Sequence, residues 1–503
     1  MFRSVRNVSR LIAIAYTLAR HDALFPLEQL HIAPFALWIG RRFRKREIAG
    51  RPGERLALAL QRLGPSFIKL GQMLSTRPDL LGEQVAGDLA ALQDRLPPFD
   101  GALARRMIEE EFGRPVGELF RQFDNRAVAA ASIAQVHFAV AADGREVAVK
   151  VLRPDIEAAF ARDLDLLYWV AGLVHRLRPD LRRLKPVEVV KTFADSTRVE
   201  MDLRMEAAAA RELAENFDDD PTFRTPDVDW ERTGRRVLTL ERIQGIPVDQ
   251  RDRLIEAGHD PTGILGNAAA VFFNQVFRDG FFHADQHPGN AFVDAEGRIV
   301  AVDFGIMGRL DRETRYYLAD MLMGFLSRDY RAVADVHFRA GYIPPHQSRA
   351  AFALALRAIA EPIFDRPLHD ISIARLLGLL FQVTERFEME TQPQLLLLQK
   401  TMLVTEGVGR TLNPDINMWT LARPLIEAWM REHRGPQARI AEQVRAMAEA
   451  AERLPATMRN LDRALERMNR PEEAAGPDMA HRLWPVWAAL AALAITVLLL
   501  AVG

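Results

Sequence analysis

Cysteine is missing from this chain altogether. That excludes disulfides, thiolate zinc sites and thiol catalysis, and it fits a reducing compartment. An excess of one charge is missing too. Lysine and arginine number 66 against 67 aspartates and glutamates, so the basic footprint of a nucleic-acid binder is not there and no nucleic-acid partner is expected. No glycine-rich dinucleotide fingerprint opens a helix, and no cluster of iron ligands stands out, which leaves hydroxylase chemistry without support. Internal repeats and low-complexity tracts are absent as well. What remains is a chain of 503 residues, long enough for a large core and more than one folding unit.

The most informative stretch runs from Phe281 to Gly305, FFHADQHPGNAFVDAEGRIVAVDFG. His283, Asp285 and Asn290 stand in an H-x-D-x-x-x-x-N frame, followed by Asp303-Phe304-Gly305. A phosphotransferase site of the protein-kinase type needs these groups at this spacing. One aspartate orients the acceptor hydroxyl; an asparagine five residues on and the aspartate of a D-F-G turn hold magnesium on the ATP phosphates. Asp303 follows Asn290 by 13 positions. That is room for a hairpin turning at Asp294-Ala295-Glu296-Gly297, with alternating apolar residues on either side. A lone D-F-G arises often by chance, whereas the combined frame with a hairpin inside it is a structural unit.

The other half of an ATP site should lie upstream. EVAVKVLRP carries Lys150 on a strand whose Val147, Val149 and Val151 argue for burial. A buried lysine is costly unless paired. Glu206, in the helical stretch VEMDLRMEAAAARELAENF, is the partner that would let Lys150 hold the α- and β-phosphates. Further on, RRVLTLERIQGIPV reads as a strand entering a turn at Gly245, which places an adenine-binding hinge near Glu241 to Ile243. Two features depart from ordinary kinases. The glycine loop expected before Lys150 is replaced by AVAAASIAQVH, residues 127–137, whose alanines cannot take up glycine's positive φ freely. The gap from Lys150 to Glu206 is long and filled by a helical pattern, FARDLDLLYWVAGLVHRLRP.

With these motifs in place the chain resembles the UbiB family of atypical kinase-like proteins, linked to ubiquinone biosynthesis, from about Leu56 to Leu310. The hallmark K-x-G-Q is present as Lys69, Gly71 and Gln72 in FIKLGQMLSTRPDLL. The alanine loop is AAASIAQVH, and an E-x-D stands at Glu200-Met201-Asp202, ahead of Glu206. The resemblance implies an α+β, bilobal protein-kinase-like fold with a helical N-terminal extension. It implies that Ala129, Ala130, Ala131 and Ser132 line the nucleotide. It also implies that the Lys69–Gln72 segment lies over the active site as a regulatory cover, with Lys69 pairing with Glu200 and Asp202. The cofactors implied are ATP and magnesium, the latter on Asn290 and Asp303. His287 stands where kinases place a lysine near the γ-phosphate, and Gln286 replaces a proline usual in bacterial relatives.

Both ends carry membrane signals. Leu483 to Gly503 is 21 residues without a charge, long enough for one helical span, with Trp484 and Trp487 at its start as interfacial anchors. Relatives commonly end in a pair of apolar helices; here there is room for one. The N-terminal segment is basic, with Arg3, Arg6, Arg10, Arg20 and RRFRKRE at 41–47, around the apolar runs LIAIAYTLA and FALWIG. ATP use argues against a signal peptide, and an amphipathic segment on anionic lipid is expected. The expected organisation is a basic lead (1–48), a K-x-G-Q extension (49–125), a small lobe (126–248) and a helical large lobe (249–430). An amphipathic linker (431–482) and a transmembrane anchor (483–503) complete it. The expected location is a bacterial inner membrane with the catalytic domain cytoplasmic.

After Gly305 there is no A-P-E and no long activation segment, so peptide docking is poorly supported. Two functions from different classes remain. One is an ATPase or small-molecule kinase supporting quinone synthesis, with Asp285 orienting an acceptor hydroxyl or water. The other is a nucleotide-gated scaffold without phosphotransfer. The expected partners are membrane lipid, quinone-precursor lipids or phenols, and quinone-biosynthesis enzymes.

Overall fold

A computed structural model describes residues 2–25, 50–75, 82–90, 92, 96–177, 186–362, 383, 386–389, 392–415 and 418–434. The chain divides into two compact units, Met1–Met430 and Arg431–Gly503. The account below concerns the first, together with the last turn of its final helix.

Helices α1 (Phe2–Arg20), α2 (Pro52–Leu63), α3 (Pro65–Ser75), α4 (Glu83–Ala90) and α5 (Gly101–Phe112) lead the chain. A proline starts α2, where its missing N–H costs nothing, and Glu54 accepts the Arg51 N–H at 2.8 Å. The K-x-G-Q motif lies on α3. A Cβ at Gly71 would stand 2.7 Å from the Leu60 side chain and 2.8 Å from that of Leu92. Glycine there is a packing requirement, because it lets α3 close on α2. Leu56, Leu60, Phe67, Ile68 and Leu89 form the buried core between these helices.

The first sheet has five strands: β1 (Phe120–Phe123), β2 (Ala129–Ala130), β3 (Ala134–Ala141), β4 (Glu146–Leu152) and, beyond the short β5 (Phe223–Arg224), β6 (Val237–Glu241). Its order is β1-β3-β4-β6 with β2 on β3, and every pairing is antiparallel. The sheet thus starts at Phe120, ahead of the boundary expected at 126. The alternation read from β4 is physical. Val147, Val149 and Val151 are fully buried in one core cluster, and the two-residue period sends Lys150 to the opposite face. The long insertion forms α6 (Ile156–Leu177) and α7 (Pro186–Glu200), and α8 (Leu203–Asn216) follows. Leu166 of α6 joins the core of the leading helices, so the insertion carries the K-x-G-Q helix against the small lobe.

Beyond β7 (Ile246–Pro247), α9 (Arg251–Glu256) and α10 (Pro261–Phe273), a π-helical turn spans Asn274–Asp279. Strands β8 (Phe281–His283), β9 (Ala291–Val293), β10 (Ile299–Ala301) and β11 (Met307–Arg309) come next. The helices α11 (Arg312–Leu326), α12 (Tyr330–Arg339), α13 (Arg349–Ala360), α14 (Pro393–Leu412) and α15 (Met418–Arg434) close the domain. Strands β9 and β10 are the antiparallel hairpin expected between Asn290 and Asp303, with Gly297 at φ +81° in its turn. Strand β11 pairs with β8, which fixes both ends of the motif stretch. No described helix is long and apolar enough to cross a membrane. The span expected at 483–503, the basic run at 41–47 and all but the first four residues of the linker expected at 431–482 lie outside the described residues.

The fold also explains the Q-V-H that ends the alanine loop. Buried Gln135 accepts the Phe99 N–H at 2.8 Å and donates to the Phe99 carbonyl at 3.2 Å. Its amide also approaches His137 Nε2 at 2.8 Å, while His137 Nδ1 lies 2.8 Å from the Asp124 carbonyl. With Nδ1–H donating to that carbonyl, Nε2 must accept from Gln135, so the ring must be neutral. Burial pushes the His137 pKa below its ordinary 6.5, against the pull of the Asp124 carbonyl. A base depressed in the folded state contributes stability that is complete above the unfolded pKa and is lost as pH falls through the folded one. His137→Phe keeps the stacking on Phe123 but strands the Gln135 amide and the Asp124 carbonyl. A loss of roughly 1–3 kcal/mol at pH 7.5 is expected, with less of the parent's further loss towards pH 5.5. Urea unfolding at the two pH values checks this; parallel pH profiles for both proteins would remove His137 from the account.

Candidate active site

Strand β4, helix α8 and the D-F-G turn converge on one cation. Lys150 Nζ lies 2.7 and 3.0 Å from the two carboxylate oxygens of Glu206 and 2.7 Å from Asp303 Oδ1. The Glu206 side chain is 6% exposed and that of Asp303 45%. Glu206 is therefore the inner anchor and Asp303 the carboxylate that looks into the cleft. Burial alone would lower the Lys150 pKa, but Asp303 and then Glu206 outweigh it and hold the ammonium above its ordinary range. Desolvation works against the ionised form of Asp303, but Lys150 first and then Lys69 drive its carboxyl below the usual carboxylate range. Glu206 is pushed up to about 7, first by burial and then by the neighbouring Asp303 charge, against the pull of Lys150. The backbone at Asp303 sits at φ +63°, a conformation costing a non-glycine residue roughly 1–3 kcal/mol. Its bond to Lys150 helps to hold that strain.

The loop carrying Asp285 is tied at several points. His283 is buried; its Nδ1 accepts the Asp285 N–H at 3.2 Å and its Nε2 faces the Val302 carbonyl at 3.2 Å. The ring thus joins the first half of the motif to the residue before Asp303, and its edge meets Phe304 at 5.7 Å between centroids. Burial keeps His283 below its ordinary pKa, in line with a structural, neutral ring. Asn290 Nδ2 donates to the Asp285 carbonyl at 3.0 Å, which turns the amide oxygen outward as the end that can ligate a metal. His287 is exposed and accepts the Gly289 N–H at 3.1 Å, capping a 3₁₀ turn. Among the described residues no group of three or more His, Cys, Asp or Glu forms a metal cluster. Hard oxygen donors of the kind carried by Asn290 and Asp303 suit magnesium, which takes one or two protein ligands and would fill the rest of its shell from water and phosphate oxygens.

The alanine loop is closed rather than open. Ala129 and Ala130 pair with Val136 and Gln135. The Ala131 N–H turns onto the Ala134 carbonyl at 2.8 Å, and the Ala131 carbonyl accepts Arg153 Nε at 3.0 Å and Nη2 at 2.9 Å. The Ala131 N–H, of the kind that a glycine loop would aim at phosphates, is thus already used. Ser132 behaves differently: its Oγ is buried and has no partner among the described residues. An unpaired buried hydroxyl costs about 1–3 kcal/mol. At the hinge, the Glu241 N–H donates to the Asp227 carbonyl at 2.8 Å. The Glu241 carboxylate takes Arg224 at 2.8 and 3.0 Å. Glu241 is committed to the scaffold by these bonds.

The cover is placed as a helix. Lys69 on α3 pairs with Glu200 Oε2 at 2.8 Å, with both side chains largely buried. Asp202 does not share that role as expected. It starts α8, accepts the Arg204 N–H at 3.2 Å and grips the Arg204 guanidinium at 2.9 and 2.6 Å. The reason is local: an aspartate at a helix start satisfies free N–H groups. The Gln72 side-chain oxygen is buried without a partner. Sequence reasoning missed other supports of the site. Gln275, in the π turn, accepts the His283 N–H at 2.9 Å. Thr401 and Thr405 on α14 reach the Asp285 loop. The apolar pattern of α14 contains nothing that would single out these threonines.

A five-stranded sheet carrying a lysine–glutamate pair, set beside a D-F-G turn and joined by a K-x-G-Q helix tied to Glu200, defines an atypical protein-kinase-like domain. Comparison with known proteins agrees. Residues 91–337 match the ABC1 atypical kinase-like domain and residues 356–417 the UbiB helical domain. A Marinobacter nauticus protein described as probable protein kinase UbiB is 45% identical over 448 residues, 86% of this chain and 81% of its own. A Pseudomonas entomophila protein of the same description is 43% identical over 475 residues, 93% and 88% of the two chains. The solved complex of Rv3197 with erythromycin from Mycobacterium tuberculosis is 26% identical with a TM-score of 0.52, covering 73% of this chain and 93% of that one. The chain belongs to the UbiB family of atypical kinase-like proteins, as its motifs implied.

Proposed function

We propose that this protein is a membrane-anchored enzyme that binds magnesium-ATP and uses it, as an ATPase or small-molecule kinase, in support of ubiquinone biosynthesis. The observation that carries the reading is Lys150 held between Glu206 and Asp303, in the same cleft as Asn290. Lys150 would hold the phosphates, and Asn290 and Asp303 the magnesium. Ser132, whose hydroxyl lacks a partner among the described residues, would bind the nucleotide together with the alanine loop. Magnesium supplies charge neutralisation on the phosphates. Asp285 would orient an acceptor hydroxyl or water, with His287 a hydrogen-bond donor near the terminal phosphate. Lys69, Gln72 and Glu200 would restrain access.

The anchor would be 483–503, at the cytoplasmic face of a bacterial inner membrane, with lipid, quinone-precursor phenols and pathway enzymes as partners. The ion pair that holds the K-x-G-Q helix against α7 favours, as a second reading, a nucleotide-gated scaffold without phosphotransfer. ATP turnover by the purified full chain in anionic vesicles, with and without quinone-precursor phenols, separates the two. Turnover that rises with the phenol supports the enzyme. Nucleotide binding without phosphate release, in every condition, supports the scaffold. Co-flotation with the vesicles that survives loss of 483–503 at high salt would refute the anchor.

A further inference from the structure

Helix α14 stands outside the motifs, yet it reaches the residue on each side of Asp285. Thr401 Oγ1 donates to the Ala284 carbonyl at 3.1 Å, and Thr405 Oγ1 lies 3.0 Å from Gln286 Oε1. The two threonines are four residues apart, so one helix face presents both. Thr401 is fully buried and Thr405 nearly so. Other ties of the loop include the Ala284 N–H to the Ile306 carbonyl, the His287 N–H to the Asp285 carbonyl, the Asp285 N–H to His283 Nδ1 and the Asn290 amide to the Asp285 carbonyl. All of these lie within residues 283–306. The threonine bonds are different in kind: they cross 117 and 119 positions of sequence.

Each hydroxyl also has a second acceptor on its own helix. Thr401 Oγ1 is 2.9 Å from the Leu397 carbonyl and Thr405 Oγ1 2.9 Å from the Thr401 carbonyl. A hydroxyl has a single proton. Thr401 therefore divides its proton between the Ala284 and Leu397 carbonyls, and Thr405 can tie Gln286 either by donating to its amide oxygen or by accepting from its amide nitrogen.

We infer that Thr401 and Thr405 are positioning residues that set the placement of Asp285 through Ala284 and Gln286, so that the setting of α14 governs the rate of the step at Asp285. The inference rests on the proposed ATP turnover, in which Asp285 orients the acceptor. Groups of this kind act on the reacting geometry and not on nucleotide affinity, so their removal lowers kcat and leaves KM for ATP in place.

The test uses the full chain in anionic vesicles. Thr401→Val/Thr405→Val removes both hydroxyls at nearly constant volume, and Thr401→Ser/Thr405→Ser keeps them. The valine protein should lose about tenfold or more in kcat, with KM for ATP and ATP-induced thermal stabilisation within twofold of the parent. The serine protein should recover most of the rate. If the double valine protein does not fold, Thr405→Val, Gln286→Leu and their combination form a cycle, and the combined loss should be less than the product of the two single losses.

Amide hydrogen exchange across 284–288 reads the same loop without turnover. It should accelerate in the valine protein and return to the parent rate in the serine protein. If the parent turns over no ATP, the proposed function fails while the exchange measurement still decides the positioning role. An unchanged kcat, equal losses for valine and serine, or loop exchange indifferent to the hydroxyls overturns the inference.

Discussion

Asp303→Asn abolishes magnesium-dependent stabilisation by ATP and leaves the apo fold standing. ATP at about 100 times its Kd would raise unfolding free energy by roughly 2.7 kcal/mol in the parent; the variant should lose most of that increment. The cause is the double duty of this carboxylate. It faces the cleft, with 45% of its side chain exposed, where a metal can reach it, and its other contact is Lys150. Asparagine keeps the shape but supplies no charge to a divalent cation. Lys150 retains Glu206, so no buried ammonium is left alone and the apo protein should melt close to the parent. Glu206 loses the neighbouring charge that helped to raise it, which favours its ionised form and strengthens the remaining pair. Turnover should fall by about a hundredfold or more. Differential scanning fluorimetry with magnesium and ATP, with chelator as the control, reads the binding half directly. An ATP shift equal to the parent's would take Asp303 out of the metal site.

Lys150→Met has the larger effect on the fold and a definite pH dependence. It removes the cation shared by Glu206 and Asp303. Removing one partner of a buried pair costs about 3–5 kcal/mol when the other stays charged. Glu206 has an escape, since it can take up a proton. It already stands at about 7 against an ordinary 4.5, and Lys150 is the main influence holding it down. Without Lys150 its folded pKa rises further. A group raised in the folded state contributes stability that is complete below the unfolded pKa and is lost as pH climbs through the folded one. The variant should therefore be closest to the parent near pH 6 and most destabilised near pH 8. Urea unfolding at both values tests the sign. Equal destabilisation at pH 6 and pH 8 would falsify the protonation account. Nucleotide binding should be lost at either pH, because the phosphates lose their lysine.

The outcomes differ in how far they could be read along the chain. Strand β4, helix α8 and the β9–β10 hairpin were legible because their signals are local. A two-residue alternation buries one face whatever packs against it. A glycine at φ +81° turns a hairpin by itself. The pairing of Lys150 with Glu206 was legible by a different route: a buried cation needs a buried anion, and the helix offered one. The pairing of Lys69 was half legible. Glu200 and Asp202 are equally acidic on paper, but Asp202 lies where α8 begins and its carboxylate is drawn to that helix end and to Arg204. Glu241 was expected at the hinge, and position alone could not say that its side chain would be occupied by Arg224.

By itself, then, the sequence determined the family and the kinase-like frame. Residue type and spacing carry that information, and they survive any rearrangement of distant elements. Only the tertiary structure decided which of two acids holds Lys69, that the alanine loop uses up its own Ala131 N–H, and that Gln135 and His137 clamp the chain at Phe99. Only the tertiary structure, too, placed Thr401 and Thr405 of α14 on either side of Asp285. These are contacts of one or two hydrogen bonds each. They depend on how helices and strands settle against one another to within an ångström, and no periodicity in the chain records that distance.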